Sequence, residues 1–395
     1  MQKTILRGAL AAAVALFAFT PPAATAAAGA SAAVPASPSP TASTAAAGPV
    51  VLSRPTGPHP VGMTSLHLVD DSRPDPWVAE EKSRELMVSL WYPARASHGR
   101  RAPYMTSQES TLLLKGIGLD DVPPDTLSRT RTNAVVDAAP LGRRHGLPLV
   151  VLSPGFSLPR SSLTALAEDL ASRGYVVAGI DHTHEASGTT FPDGHTATCV
   201  ACESESTLEF GAKVTKGRAA DVSFVLDRLT GPHPAWKDAE VIDPSRIAMG
   251  GHSVGGSGSQ RTMIEDSRVR AGVNLDGTFF VPIPDDGLSR PFLMMGAGKA
   301  NQSGGADPTW SRDWNHMTGW KRWLMVDGMT HGSFTDYPLA AEQLGLNFGE
   351  PLGGARSVEI TRKYVGAFFD LHLRKRSQPL LERPSRRYPE VKFEG

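Results

Sequence analysis

The sequence predicts an α/β protein with a mostly parallel central sheet, helices on both faces of the sheet, and an antiparallel N-terminal edge. Two observations favour this class. From about residue 147 onward, continuous apolar runs typical of buried strands alternate with segments of helical periodicity. Such alternation is typical of βαβ units, whose crossovers place helices on both sides of a parallel sheet. No internal repeat interrupts this order, so a single sheet is expected.

The first two strands are expected at "MTSLHLVD" and "ELMVSLWYPA". Both stretches alternate or run apolar, and we expect them to pair antiparallel at one edge of the sheet. The next residues, about 96–145, fit neither the strand period nor the helical period. They are therefore predicted to form an insertion at the carboxyl edge of the sheet.

The parallel strands and their helices follow in order along the chain. The predicted strands are "LPLVVLSPG", "YVVAGIDHT", "RIAMGGHS", "VRAGVNLDG", "PFLMMGAG" and "KRWLMVDGMTH". The clearest helices are "SSLTALAEDLASRG", "RAADVSFVLDRL" and the closing "SVEITRKYVGAFFDLHLR". In the first of these helices, Ser161 or Ser162 is the expected cap and Gly174 the expected stop.

The N-terminus has the pattern of an export signal. Lys3 and Arg7 precede a short apolar core, and small residues end at Ala26. The following Ala, Ser, Pro and Thr residues contain too little apolar surface to fold. We therefore predict a signal peptide at residues 1–26, a flexible linker at 27–49, one domain at 50–395, and secretion of the mature chain.

Charge and composition narrow the class of partner. Among 395 residues, 40 are Lys or Arg and 40 are Asp or Glu. This balance gives no electrostatic argument for nucleic-acid binding or for a stable complex with an anionic membrane. No stretch after the leader is long enough to span a bilayer. We expect a monomer that makes only transient contact with lipid surfaces.

The only cysteines, Cys199 and Cys202, form a CxxC motif. The motif is compatible with a redox pair, with half of a metal site that includes His195, or with a structural disulfide. Because the chain is expected to be exported and a second ligand pair is lacking, the disulfide is favoured. No metal ion or other cofactor is predicted.

The stretch "IAMGGHSVGGSGSQ" has the features of a nucleophile turn. Gly251, Ser253 and Gly255 form a GxSxG motif between a predicted strand and a predicted helix. The alternative is a tight packing corner with no chemistry. The position of the motif at the carboxyl end of a strand favours the nucleophile, because ligands of such sheets bind at the carboxyl ends of the strands.

A nucleophilic serine needs a base, and the base needs an acid that orients it. His331 follows a strand, whereas His316 and His372 fall in helical segments. Asp276 directly ends the strand "VRAGVNLDG", and it is favoured as the acid over Asp307, which lies further into a later loop.

Two backbone N–H groups are predicted to form the oxyanion hole. One belongs to Val254 in the nucleophile turn, and the other belongs to Phe156 after the strand "LPLVVLSPG". Pro154 has no N–H group to contribute.

The stretches "VVLSPGFSLPRSSLTALAEDLASRGYVVAGIDH", "GHSVGG", "AGVNLDGTFF" and "THGSF" resemble the α/β-hydrolase superfamily. Within it, they are similar to the secreted platelet-activating-factor acetylhydrolase family, which also takes its acid from the earlier strand. The resemblance implies metal-free hydrolysis of short-acyl, lipid-like esters through an acyl-serine. A polyester hydrolase, cutinase or lipase uses the same machinery, and a hydrolase fold that only binds ligands is the alternative of another class.

Overall fold

The computed structural model describes residues 48–395. The predicted signal peptide and all but the last two residues of the predicted linker lie outside the described residues. The strands are β1 (Val61–Asp70), β2 (Arg84–Pro93), β3 (Val135–Val136), β4 (Leu147–Ser153), β5 (Val176–His182), β6 (Gly188–Thr190), β7 (Thr196–Thr198), β8 (Ile242–His252), β9 (Val269–Leu275), β10 (Phe292–Ala297), β11 (Lys321–Val326) and β12 (Val391–Glu394). The helices are α1 (Ser107–Gly116), α2 (Thr164–Ser172), α3 (Leu208–Thr230), α4 (Val254–Glu265), α5 (Pro308–His316), α6 (Tyr337–Gln343) and α7 (Gly354–Arg374).

Ten of these strands form one sheet, in the order β12-β11-β10-β9-β8-β4-β5-β2-β1-β3. From β11 to β5 in this order, each strand is parallel to the next, whereas β12 and β2 pair antiparallel with the two ends of this group. β1 and β2 pair antiparallel along their whole length, as the sequence predicts. β3 pairs with the outer side of β1, so β1 is not itself the edge strand. The predicted α/β class is confirmed.

Both faces of the sheet are covered, because successive side chains of a strand point to opposite faces. Val150 and Leu152 of β4 belong to a core that includes residues of α2 and α7. Leu149 and Val151 of the same strand belong to a second core that includes residues of α3. The continuous apolar runs of the sequence are therefore strands buried on both sides.

The segment 96–145 is more regular than the sequence suggests, since it contains α1 and β3. Thr106 caps α1 in a capping box with Glu109, whose carboxylate also accepts a hydrogen bond from Thr190 N on β6. Leu113 and Leu114 of α1 pack in a cluster with residues of α2, α6 and α7. The segment thus lies beside the β6–β7 hairpin that follows β5. Among the described residues, none of the helices is long and apolar enough to cross a bilayer.

Candidate active site

Ser253 occupies the sharp turn between β8 and α4. Its φ of 56° and ψ of −128° lie where residues other than glycine are rare and strained. A Cβ on Gly255 would lie 2.1 Å from Ser153 O, and a Cβ on Gly251 would lie 2.2 Å from the Gly255 carbonyl carbon. The glycines of the GxSxG motif therefore let β4 and α4 approach the turn closely. Val254 follows as the first residue of α4, whose first N–H groups have no acceptor within the helix.

The structure brings Asp276 and His331 together at the same edge of the sheet. Asp276 follows β9 with a φ of 60°, and its Oδ2 lies 2.7 Å from Nδ1 of His331. Its Oδ1 accepts hydrogen bonds from Ala297 N and Asn301 Nδ2, both at 2.7 Å. Ser253 N donates to the carbonyl of Leu275, the residue before Asp276, at 2.8 Å. Ser253 and Asp276 therefore lie side by side at the ends of the neighbouring strands β8 and β9.

His252 joins the nucleophile turn to the loop of His331. Its Nε2 lies 2.8 Å from the carbonyl oxygen of His331, and the two rings are 4.6 Å apart. Burial, with the neighbouring His331 in second place, holds the pKa of His252 well below its usual range. The ring is therefore neutral and donates through Nε2. Neither His252 nor Asn301 was predicted to belong to the site, although His252 lies within the GxSxG motif itself.

The other candidates lie elsewhere. Asp307 caps α5, where its Oδ1 accepts from Thr309 N at 2.9 Å and its Oδ2 from Thr278 Oγ1 at 2.7 Å. His316 bonds through Nδ1 to a carbonyl of its own helix. His372 packs against Trp320 and Phe368 on the closing helix. The structure brings none of the three into hydrogen-bond contact with His331.

Phe156 lies in the turn after β4, which packs beside the Ser253 turn. The Gly155 carbonyl accepts a hydrogen bond from Leu158 N at 3.2 Å, which orients the Gly155–Phe156 peptide. A Cβ on Gly155 would lie 2.8 Å from Nδ1 of His252, so this turn packs directly on the residue before Ser253. Phe156 and Val254 also belong to one apolar cluster with Trp77, Phe210 and Phe280. The two predicted oxyanion residues therefore pack in the same cluster.

A hydrogen-bonded Ser–His–Asp chain lies buried beneath this turn. Ser153 Oγ is 2.9 Å from Nε2 of His182, and Nδ1 of His182 is 2.7 Å from Oδ2 of Asp221. All three residues are 0–1% exposed. Burial and the charge of Arg218 lower the pKa of His182. Although burial opposes ionisation, Arg84 and His182 hold the pKa of Asp221 well below its usual range. The hydrogen bonds of this chain therefore run from Ser153 to a neutral His182 and on to a carboxylate.

Cys199 and Cys202 form a disulfide, and the Ala201 N–H between them donates to the carbonyl of His184 at 2.9 Å. His195 takes no part, because it bonds to Asp193 and stacks on Phe191.

Metal-binding residue types do meet once in the part of the chain that the structure describes, at Asp75, Glu81 and His184. Arg84 Nη1 donates to Asp75 Oδ2 at 2.6 Å and supplies the positive charge at that carboxylate.

Comparison with known families places the chain. The family described as platelet-activating factor acetylhydrolase, isoform II, matches residues 44–208 and 235–350. The chain belongs to this family. It is 30% identical over 382 residues to a probable 1-alkyl-2-acetylglycerophosphocholine esterase of Arthroderma benhamiae, covering 87% of this chain and 93% of that protein. A platelet-activating factor acetylhydrolase of Cavia porcellus is 22% identical over 75% of this chain and 71% of its own length.

A solved structure supports the same placement. The ferulic acid esterase from Streptomyces cinnamoneus superposes with a TM-score of 0.78 at 43% identity, over 88% of this chain and 99% of that chain. This chain, itself a member of the acetylhydrolase family, has the α/β-hydrolase fold and is a carboxylic-ester hydrolase, as the sequence predicts.

Proposed function

We propose that Ser253 is the nucleophile of this esterase, that His331 is its general base, and that Asp276 orients the imidazole. The observation that carries the proposal is the 2.7 Å hydrogen bond between Asp276 and His331, next to a serine in a strained turn. The His331 side chain is 35% exposed and the Asp276 side chain 5% exposed. A base that reaches solvent and an acid shielded from it are what ester hydrolysis through an acyl-serine needs.

The proposal assigns a residue to each step. His331 Nε2 takes the Ser253 proton as Oγ attacks the ester carbonyl, and the N–H groups of Phe156 and Val254 donate to the oxyanion. The tetrahedral intermediate collapses, the alcohol leaves with the proton from His331, and the acyl group stays on Ser253. Water, activated by the same imidazole, then releases the carboxylic acid. Each lost oxyanion donor costs about 2.7 to 4 kcal/mol of transition-state stabilisation in such sites.

We propose short-acyl esters of lipid-like alcohols as substrates, as the names of the acetylhydrolase relatives indicate. The apolar cluster around Val254, with partly buried Phe156 and Phe280, is suited to an uncharged acyl group. A second substrate class has support of its own. Because the same cluster is rich in aromatic rings and the ferulic acid esterase shares 43% identity, planar aromatic acyl esters are the other candidate.

We also propose that the chain is secreted after cleavage of residues 1–26, that residues 27–49 link to the domain, and that it acts as a monomer without metal. The Cys199–Cys202 disulfide supports an oxidising destination. N-terminal sequencing of the protein from culture medium, together with its mass in solution, tests these statements.

The catalytic proposal is tested with a serine-directed fluorophosphonate probe. We expect wild-type protein to be labelled once, at Ser253, and Ser253→Ala to lose labelling and p-nitrophenyl acetate turnover while keeping its circular dichroism spectrum. Ser245 lies at the opposite end of the same strand, so Ser245→Ala is the matched control and should retain both. Labelling at another serine, or turnover by Ser253→Ala, contradicts the proposal. Absence of labelling in the wild type would indicate the binding-only alternative.

The substrate class is decided by comparing kcat/KM for three esters. These are an acetyl ester, a 1-alkyl-2-acetylglycerophosphocholine and methyl ferulate. Because the depth and shape of the acyl pocket set this ratio, the preferred acyl group identifies the class.

A further inference from the structure

Arg218, on α3, is a fully buried arginine that the mechanism above does not use. It is 1% exposed. Its Nε donates to Glu185 Oε2 at 2.8 Å, and its Nη1 donates to Ser153 Oγ at 3.1 Å and to the carbonyl oxygen of Pro154. A buried guanidinium is tolerated when it is paired and its donors are satisfied, and Glu185 supplies the pairing charge. One side chain thus contacts both residues that enter the oxyanion turn.

The contact with Pro154 fixes the peptide plane that directly precedes the plane of the proposed donor, the Phe156 N–H group. The Pro154 carbonyl belongs to the Pro154–Gly155 peptide, which Arg218 holds from the α3 side. The next peptide is oriented by the hydrogen bond from Leu158 N to the Gly155 carbonyl. In a trans peptide the N–H group points opposite to the carbonyl, so the Phe156 N–H points away from Leu158.

The partner of Arg218 holds the other end of the same turn. The backbone carbonyl of Glu185 accepts from Ser157 N at 2.9 Å, while Ser157 O accepts from Ser187 N at 2.9 Å. Trp77 Nε1 donates to the remaining carboxylate oxygen of Glu185 at 3.0 Å. The Arg218–Glu185 ion pair is therefore connected to the turn at Pro154 through one member and at Ser157 through the other.

We infer that Arg218 is a positioning residue for the oxyanion hole: through the Pro154 carbonyl and Glu185 it fixes the 154–157 turn so that the Phe156 N–H donates to the developing oxyanion. This inference rests on the proposed function, because it assigns Phe156 as a donor. A misplacement of a reacting group by about 1 Å costs on the order of 100-fold in rate. The loss of Arg218 should therefore appear in kcat rather than in substrate binding.

The first test is the double variant Arg218→Met with Glu185→Gln, which removes both charges together and leaves no unpaired buried ion. We expect it to fold, to retain KM within about two-fold, and to lose about 10- to 100-fold in kcat for p-nitrophenyl acetate. Its inhibition constant for a trifluoromethyl ketone, whose hemiketal oxyanion occupies the same hole, should rise by the same factor as kcat/KM falls. A purely structural role would lower thermal stability without this correlation.

Arg290→Met is the matched control. Arg290 also donates to backbone carbonyls, those of Asp266, Val269 and Met263, at the far end of α4 and the start of β9. It should lose stability and keep kcat. The Arg218→Lys variant keeps the charge that pairs with Glu185. If the double variant does not fold, kcat and ketone inhibition are therefore measured on Arg218→Lys instead. Lysine cannot bridge Glu185 and Pro154 with a planar fork, and it should show the same kcat and inhibitor changes at smaller size.

The inference is overturned if kcat stays within about two-fold of wild type in both Arg218 variants, or if kcat falls while ketone affinity is unchanged. Fluorophosphonate labelling of Ser253 in the wild type separates this failure from failure of the proposed function. If the wild type is labelled at Ser253 and the Arg218 variants are unaffected, then the catalytic proposal stands and only the positioning role is refuted.

Discussion

Replacing Asp276 by asparagine should abolish base catalysis by His331, because the substitution changes which ring nitrogen of the imidazole carries the proton. In the wild type, Asp276 Oδ1 accepts two hydrogen bonds, from Ala297 N and Asn301 Nδ2, and Oδ2 faces His331 Nδ1. In Asp276→Asn, the amide oxygen must take the site with two donors, which turns the amide NH₂ toward His331. The imidazole then accepts through Nδ1 and carries its proton on Nε2. In that form Nε2 cannot take the proton of Ser253.

The size of the effect follows from the loss of the correct tautomer. This substitution in a serine triad lowers kcat by about 10⁴-fold, which corresponds to about 5.5 kcal/mol of activation free energy. The fold should be preserved, because asparagine has the shape of aspartate and keeps the two bonds at the Oδ1 position. KM should change little, since the carboxylate lies behind the histidine and does not contact the ester.

The assay is steady-state hydrolysis of p-nitrophenyl acetate, with Asp307→Asn as the control. Asp307 caps α5, and asparagine is an equally good cap, so this variant should keep its activity and most of its stability. If Asp276→Asn keeps more than about a tenth of kcat, or if Asp307→Asn is the inactive variant, then the assignment of the acid is refuted.

Two further predictions concern stability. Burial raises the pKa of Asp336 to about 8, whereas an unfolded aspartate titrates near 3.9. Between these values the folded state keeps a proton that the unfolded state has lost, so stability falls as pH rises from about 4 to about 8. The melting temperature of Asp336→Asn should therefore rise relative to that of the wild type as pH increases across this window. A difference that does not change with pH would contradict the prediction. Separately, Gly255→Ala places a Cβ 2.1 Å from Ser153 O and 2.7 Å from Pro154 O, which should cost about 1–3 kcal/mol in denaturant unfolding. In Gly258→Ala, on the same helix, the nearest neighbour of the new Cβ is Arg218 Cβ at 3.5 Å, so this variant should be neutral or stabilising; equal losses in both variants would refute the steric argument.

The long elements of the sheet were predictable because their periodicity reflects burial. β4, β5 and β8 to β11 are apolar runs that are buried on both faces of the sheet, and each was predicted at its place in the chain. β3, β12 and the β6–β7 hairpin were missed. They are two to four residues long. β3 and β12 exist through pairing with strands distant in the chain, which a short window of sequence does not contain, whereas β6 and β7 pair with each other across a short turn. α1 was missed because its buried face is narrow.

The positions of the candidate site residues were predictable for a different reason. Ser253, Asp276 and His331 each follow a parallel strand, and the carboxyl ends of parallel strands meet at one edge. The supporting contacts were not predictable in this way. Arg218 lies in the middle of α3, and Asn301 lies in a loop, so nothing in the local sequence indicates that one reaches Pro154 and the other Asp276. Such contacts depend on how helices and loops pack on the sheet.

The buried Ser153–His182–Asp221 chain shows why hydrogen-bond connectivity alone does not define an active site. Ser153, His182 and Asp221 are joined as a catalytic triad would be, yet Ser153 is 0% exposed and its hydroxyl already accepts from Arg218. No ester carbonyl reaches that oxygen, and the neighbouring guanidinium stabilises it where it is.

Ser253, the proposed nucleophile, is 8% exposed and stands in a strained turn at the carboxyl edge of the sheet, at the start of a helix, and the His331 side chain is about one third exposed. Backbone strain and solvent access at the histidine, rather than the order of donors and acceptors, distinguish the proposed nucleophile from the buried serine. In the proposed mechanism the buried chain instead supports, through the contact of Ser153 with Arg218, the turn that carries the Phe156 N–H group.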